Sequence, residues 1–311
     1  MQVFAGIDVA KDQLDLGIYP DGTSARFASD PAGIAALIEH LRHAGVTLVV
    51  LEATGGIEQR IALELAAAQV PVAVVNPRQV RDFARGVGRL AKNDRVDALV
   101  LARFGHTVRP AARPLSAEHE RRFGELVARR RQLIDMRTAE SNRLLRADAQ
   151  TVVDSHKALL KALDEQIDSI DAEISQAIKA SPVWRAKDRL LRSVPGVGDG
   201  LARAVLADLP ELGTLTRGQI AALVGVAPYD NDSGKRRGQR AIRGGRAPVR
   251  CVLYMATLAA TRCNPAIRAF YRRLRDAGKP FKLALVAAMR KLLITLNAIL
   301  ATGVPWTCRM A

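Results

Sequence analysis

Residues 3–28 read VFAGIDVAKDQLDLGIYPDGTSARFA. Three short apolar stretches, 3–7, 13–19 and 25–28, are separated by an Asp/Lys pair and by Pro20-Asp21-Gly22. Strand-forming runs bounded by such turn residues describe a three-stranded meander. Helix signals follow at once. Asp30-Pro31 sets a proline at a first helical position, ahead of Ile34, Leu37, Ile38 and Leu41 at helical spacing. Residues 47–51 then form a buried strand, 57–68 a helix and 70–75 a further strand, with helical segments through Arg103. The predicted order is βββαβαβα, an α/β domain with a mixed sheet.

Working outward, residues 116–180 lack strand signals and are rich in Arg, Glu, Ala and Leu. Leu163, Ile167, Ile170, Ile174 and Ala177 are spaced 4-3-4-3, which is heptad spacing over about two heptads. Such a stripe serves either a coiled-coil seam between two copies or a helical hairpin packed on itself. From Arg185 the chain is all-α, broken at Val194-Pro195-Gly196-Val197-Gly198 and by an irregular stretch at 227–245. The apolar segments 249–261 and 282–300 are the expected core of this second domain. The expected organisation is a domain over 1–110, a helical or coiled-coil oligomerisation segment over 115–182, and a basic helical domain over 185–311.

The chain has 311 residues, room for about two domains, and 49% apolar residues, which argues against disorder. Its formal charge is +16, and that charge is not evenly spread. Residues 1–184 hold 24 basic and 24 acidic side chains, whereas 185–311 hold 23 and 7. A neutral half joined to a strongly cationic half points to nucleic acid as the partner, because phosphates are met by clustered Lys and Arg. Cys251, Cys263 and Cys308 have no Cys-x-x-Cys pairing, so they read as buried thiols of a cytoplasmic protein rather than a zinc site or a disulfide framework. The apolar runs fall short of the roughly 18 residues of a membrane span, so no membrane partner is expected.

Asp8 ends the first strand, Glu52 ends the fourth, and Asp94 and Asp97 lie three apart on a helix. Singly, each is an ordinary turn or surface acid. Together they converge, because carboxylates at the C-terminal ends of neighbouring strands face one crevice and an i,i+3 pair adds two more. Oxygen-only ligands suit Mg²⁺ or Mn²⁺, which can clamp the attacking and leaving oxygens of a phosphodiester. This order of acids resembles the RNase-H-like fold of RuvC-type junction resolvases. Ribokinase-like and actin-like ATPases also begin with Gly-Ile-Asp, but they need glycine-rich phosphate loops and a related second lobe. Here only Thr54-Gly55-Gly56 is on offer.

In the cationic half, Val194-Pro195-Gly196-Val197-Gly198 between helical segments has a helix-hairpin-helix pattern. Gly196 and Gly198 would present backbone N–H groups to a phosphate, with Arg203 close by. A plain packing turn explains the same pattern. Ser233 lies in a loop just before Lys235, Arg236 and Arg237, with Arg240, Arg243, Arg246 and Arg250 following. These cations are candidate nucleic-acid contacts. No histidine falls within 185–311, so a Ser/His triad is excluded and activation of Ser233 would have to come from metals or carboxylates elsewhere.

Five blocks in order carry a family resemblance. They are Gly6-Ile7-Asp8-Val9-Ala10-Lys11, Glu52-Ala53-Thr54-Gly55, Lys92-Asn93-Asp94-Arg95-Val96-Asp97-Ala98, Val194-Pro195-Gly196-Val197-Gly198, and Ser233-Gly234 followed by Gly244-Gly245-Arg246. Asn264-Pro265, Phe270-Tyr271, Gly278-Lys279-Pro280 and Arg290-Lys291-Leu292-Leu293 extend the match. The chain resembles DEDD-type insertion-sequence transposases, the family of Piv-like invertases and bridge-RNA-guided recombinases, over essentially its full length. The resemblance implies a RuvC-like domain whose Asp8, Glu52, Asp94 and Asp97 hold Mg²⁺. It further implies attack by Ser233 on DNA to give a phosphoserine and a free 3′-hydroxyl, assembly as a dimer or tetramer, and a noncoding guide RNA that pairs with donor and target DNA. The competing expectations are a metal-dependent junction-resolving nuclease that uses water, with Ser233 a mere loop residue, and a non-enzymatic basic scaffold.

Overall fold

The computed structural model describes residues 2–89, 93–112, 118–234, 236–238 and 240–307. The chain divides into two compact units, Met1–Ser116 and Ala117–Ala311.

In the first unit, strands β1 (Val3–Val9), β2 (Gln13–Tyr19), β3 (Ser24–Ala28), β4 (Val46–Glu52) and β5 (Val72–Val75) form one sheet in the order β3-β2-β1-β4-β5. The first three strands pair antiparallel, and β4 and β5 run parallel to β1. Helices α1 (Pro31–His43), α2 (Glu58–Ala67), α3 (Pro77–Gly86) and α4 (Asp94–Val108) complete the order. The expected βββαβαβα order is thus met, and the Asp30 side chain caps α1 by accepting from the Gly33 N–H at 2.7 Å.

Strand alternation sorts the sheet into two faces. Ala5, Ile7 and Val9 of β1 share a core with Val49 and Leu51 of β4 and with Ile34, Leu37, Ile61 and Leu65 of α1 and α2. Phe4, Val50, Ala73 and Val75 share the other with Leu101 and Phe104 of α4. On this second face Gly6 of β1 lies opposite Gly17 of β2. A Cβ on Gly6 would sit 2.3 Å from the Ala98 carbonyl oxygen, and one on Gly17 would sit 2.6 Å from the Leu99 nitrogen. Bare backbone on both strands therefore lets α4 lie directly on the sheet.

The second unit opens with a hairpin of α5 (Glu118–Leu144) and α6 (Gln150–Ala180). Leu163 and Ile167 pack on Leu133, while Ile174 and Ile178 join Phe123, Val127 and Trp184 in the main core. Arg130 binds both oxygens of Asp171 at 2.5 and 3.0 Å across the same seam. The heptad stripe is thus buried within one chain, so it is not a coiled-coil seam between copies. Identical spacing serves both arrangements, and the short turn after Leu144 favours antiparallel return of the same chain.

Helices α7 (Pro182–Arg192), α8 (Asp199–Asp208), α9 (Arg217–Val224), α10 (Ala247–Cys263), α11 (Pro265–Asp276) and α12 (Phe281–Thr302) build the rest, with a two-stranded hairpin of β6 (Asp232–Ser233) and β7 (Arg236–Arg237). Leu285, Ala288, Met289, Leu292, Leu293 and Leu296 make α12 the centre of this core, against Leu253 and Ala260 of α10 and Ile220 and Val224 of α9. By length and composition α12 could cross a membrane, longer than the apolar runs the sequence led us to expect; half of that window is buried in the core. Asn297 holds it in register, accepting from the Gly213 N–H at 2.8 Å and donating to the Leu215 carbonyl at 2.9 Å. Contrary to expectation, Cys251 and Cys263 are exposed. Both fall outside the α10 stripe of Val249, Leu253, Ala256 and Ala260 that faces the core. Cys308 lies outside the described residues.

Close approach at Gly6 leads to a direct expectation. Gly6→Ala should destabilise the first unit by about 1–3 kcal/mol through overpacking, read as a lower midpoint in chemical denaturation. Gly86→Ala, at a helical position where a Cβ meets nothing within 4 Å, is the control and should be neutral or slightly stabilising. Equal effects of the two changes would remove the packing argument.

Candidate functional site

The face of the sheet that receives α4 also carries the acids. Asp8 follows Ile7, which pairs with Leu51, and Glu52 follows Leu51, so the two carboxylates leave neighbouring parallel strands at the same level. Being two residues beyond Gly6, Asp8 points to the α4 side. Asn93 starts α4 by accepting from the Val96 N–H at 2.9 Å, which sets Asp94 and Asp97 in the first turn. Asp8, Glu52, Asp94 and Asp97 all line one cleft of about 610 Å³.

The crowding has an electrostatic signature. The Asp8 carboxyl is pushed up to about 6, first by burial and then by repulsion from Asp94, Asp97, Glu52 and Asp15. Asp15, the cross-strand partner of Asp8, is buried and accepts from Arg26 at 2.9 Å. Gln13 donates to Asp94 at 3.3 Å. As the side chains stand, no three His, Cys, Asp or Glu among the described residues converge closely enough to enclose an ion. The donor set nevertheless fits a hard divalent cation: four carboxylates in one cleft, one of them driven toward its neutral form by burial and then by its acidic neighbours.

Several residues of this cleft were missed in the sequence. Arg78, Arg81 and Arg85 of α3 line it, as do Asp82 and Thr54. The signal was present as arginines at i, i+3 and i+7 directly after the Asn76-Pro77 helix start, which puts them on one face. Glu58 is buried and closes the loop after β4, accepting from the Thr54 N–H at 3.0 Å, the Thr54 hydroxyl at 3.2 Å and the Gly56 N–H at 2.9 Å. That loop begins at Glu52, so Glu58 fixes where the Glu52 strand end stops.

The serine belongs to the second unit. Instead of an irregular loop, residues 229–241 form an arm: Tyr229 bridges Ala241, Asp232 pairs with Arg237 and Ser233 with Arg236. Ser233 is exposed on it. Asp232 accepts from the Gly238 N–H at 3.2 Å, and Asp230 pairs with Arg240 at 2.7 Å, so both acids before the serine have partners in the arm. Arg243 stacks its guanidinium over Tyr229, 5.2 Å from the ring centroid. Below the arm, Arg246 binds Glu211 at 2.5 and 2.6 Å and the Asp208 carbonyl at 2.8 Å. Arg250 donates to the carbonyls of Val224 at 3.1 Å and Gly244 at 2.5 Å. Lys235 lies outside the described residues, and Arg236 and Arg237 are described by their backbone alone.

Three of the expected nucleic-acid contacts have partners within the chain. Arg246 and Arg250 fasten the base of the arm. Arg203 is 7% exposed and binds Asp171, Asp199 and the Ser175 hydroxyl. In the Val194–Gly198 turn, Gly196 has φ +97 and faces α10, where a Cβ would lie 2.7 Å from the Ala260 Cα. Its glycine is needed for packing. Gly198 caps α8, and Asp199 occupies the first turn, paired with Arg192. A carboxylate thus already sits at the helix start that was expected to meet a phosphate.

Comparison with known families covers both units. A DEDD transposase model of the IS110 type matches residues 5–151, and a model of the transposase IS116/IS110/IS902 family matches residues 188–272. The four carboxylates fall in the first match and Ser233 in the second. The chain is 25% identical to the pilin gene-inverting proteins of Moraxella lacunata and Moraxella bovis, over 99% of this chain and 99% of each relative. It is also 32% identical to an insertion element IS110 protein of Streptomyces coelicolor, across 51% of this chain and 39% of that protein. The chain belongs to the IS110-type DEDD transposase family and is an enzyme of DNA transposition or recombination.

Proposed function

We propose that the protein is the transposase of a mobile insertion sequence, cutting and rejoining DNA through a covalent bond to Ser233. The observation that carries this reading is the chemistry of its two halves: a carboxylate cleft that repels itself, and an exposed serine hydroxyl on an arm of a basic unit. Residues 1–110 act as a RuvC-like catalytic domain, supported by three antiparallel strands continued by two parallel ones with acids at the strand ends. Residues 185–311 act as the serine-bearing DNA-binding domain.

In this mechanism Asp8, Glu52, Asp94 and Asp97 hold Mg²⁺ or Mn²⁺. When bound, such an ion supplies charge neutralisation at the phosphate and lowers the cost of ionising the serine. Ser233 Oγ forms a bond to phosphorus as the bond from phosphorus to the 3′ oxygen breaks, and the departing 3′ oxygen takes a proton from water to leave as a hydroxyl. With no histidine in 185–311, the serine proton passes to a carboxylate of the cleft or to water. Arg78, Arg81 and Arg85 orient the phosphodiester from the α3 side of the cleft. The phosphoserine conserves the energy of the phosphodiester, so the strands rejoin without ATP.

Cleft and arm must meet at one phosphate, which a dimer or tetramer achieves by pairing the cleft of one copy with the arm of another. The 115–182 segment is the assembly element in this reading. Support comes from its outer surface, where Met136, Leu145, Val152 and Leu159 are exposed apolar side chains. A noncoding RNA selects donor and target DNA by pairing, while the protein follows backbone shape. A chain with 4% aromatic residues suits such electrostatic contact. The enzyme acts in the cytoplasm.

The second reading, a junction-resolving nuclease with water as nucleophile, is favoured by one feature: all four acids lie in the first unit without need of Ser233. Ser233→Ala separates the two. The transposase reading expects strand exchange to vanish together with SDS-resistant DNA attachment, at unchanged thermal stability because the side chain is exposed. Retained strand exchange would leave only the nuclease.

The acid cleft also sets a pH dependence. Folded Asp8 keeps its proton to about pH 6, whereas the unfolded chain releases it near 3.8, so stability falls as pH rises through that window and then levels off. In chelator, Asp8→Asn should therefore gain stability over the wild type between pH 4 and 6. Because Asp8 is half-exposed, the gain at neutral pH is on the order of 1 kcal/mol. Mg²⁺ or Mn²⁺ should then stabilise the wild type and not the variant. Parallel stability curves for the two proteins would contradict the repulsion.

A further inference from the structure

We propose that a groove beside the serine arm, floored by Val226, Ile242 and Val286 and rimmed by Arg240, Lys282 and Arg290, binds one unstacked nucleotide of single-stranded DNA. It rests on the proposed function only for its purpose, which is to hold the strand next to the bond that Ser233 cuts.

The groove arises where the arm leaves and re-enters the second unit. Val226 precedes the arm, Arg240 and Ala241 belong to its return, Ile242 follows it, and α12 supplies the facing wall. On α12, Lys282, Val286 and Arg290 recur every four residues, so a cation, an apolar side chain and a second cation line up along one stripe. Leu283 lies beside them and is 50% exposed. The volume is about 520 Å³, the scale of a small-molecule pocket and too small for a duplex.

Charge selects the ligand. Three cations and no carboxylate line the groove, and α12 contains no acid at all. Among the described residues no carboxylate pairs with Lys282 or Arg290, while Arg240 is held by Asp230 at the arm. An apolar floor between unpaired cations asks for a ligand with a flat apolar body and an anionic group on each side. A nucleotide within a strand has that form: the base covers the floor and its flanking phosphates meet the rim. The arm that carries Ser233 shares Arg240 and Ala241 with the groove, so a base drawn out here lies on the strand that the arm contacts.

The test uses the full-length protein without metal, so no bond is cut and loss of the serine mechanism would leave the readout intact. Binding of a thymidine oligonucleotide is compared with that of the same strand made abasic throughout. The wild type should prefer the base-bearing strand by about tenfold, the order expected from covering an apolar floor with one base. Val286→Trp, which fills the groove, should erase that preference while both strands keep their salt-dependent binding. Leu283→Ser, at an exposed position that folding tolerates, should reduce the preference in the same direction, and Arg290→Ala should weaken both strands. Equal binding of the two strands by the wild type, or a preference that survives Val286→Trp, overturns the proposal. So does a groove whose filling leaves DNA binding untouched but lowers the oligomeric state, since its occupant is then a second copy of the chain.

Discussion

The carboxylate cleft depends on how closely α4 lies against the sheet. Gly6 and Gly17 face each other on adjacent strands, and a methyl group on either would strike the α4 backbone. Remove that bare backbone and α4 rises, taking Asp94 and Asp97 away from Asp8 and Glu52. The same geometry explains why Asp8 is crowded. Two residues past Gly6 on the same face, it sits where the helix comes nearest, with its own cross-strand neighbour Asp15 also acidic. Close packing and electrostatic repulsion are thus two results of one contact.

The second unit resolves its charge differently. Part of the cationic excess there is engaged within the chain: Arg203 with Asp171 and Asp199, Arg246 with Glu211, Arg250 with two carbonyl oxygens. Partly buried arginines with several partners are structural fasteners, and their loss leaves buried carboxylates and carbonyls unmatched. Net charge therefore overstates the surface available to a phosphate backbone. Exposed cations remain on several elements, among them Arg185 and Arg189 of α7, Arg217 of α9, Arg268, Arg272, Arg273 and Arg275 of α11, and Lys282 of α12.

The first unit was legible because its signals are local. Alternation in β1, the Asp30-Pro31 start of α1 and the strand-end positions of Asp8 and Glu52 all follow from neighbours within a few residues. The arginine fasteners were not legible, since Arg203 meets Asp171 and Arg246 meets Glu211 more than thirty positions away. The heptad of α6 was visible, but spacing does not say whose helix it packs against; the partner proved to be α5 of the same chain. Gly196 misled for a related reason, because a glycine needed beside Ala260 reads the same as one needed beside a phosphate. The α3 arginines were in plain view at helical spacing, and only the cleft reveals what they face.

The arm is built as a cantilever. Its root is riveted by Arg246 and Arg250, which tie residues 244–250 to the ends of α8 and α9, whereas its outer end is a two-residue ladder without a core of its own. Aim and reach are consequently separate quantities. The rivets at Arg246 and Arg250 set the direction in which the arm leaves the unit, and the length of the ribbon sets how far from that root the Ser233 hydroxyl stands.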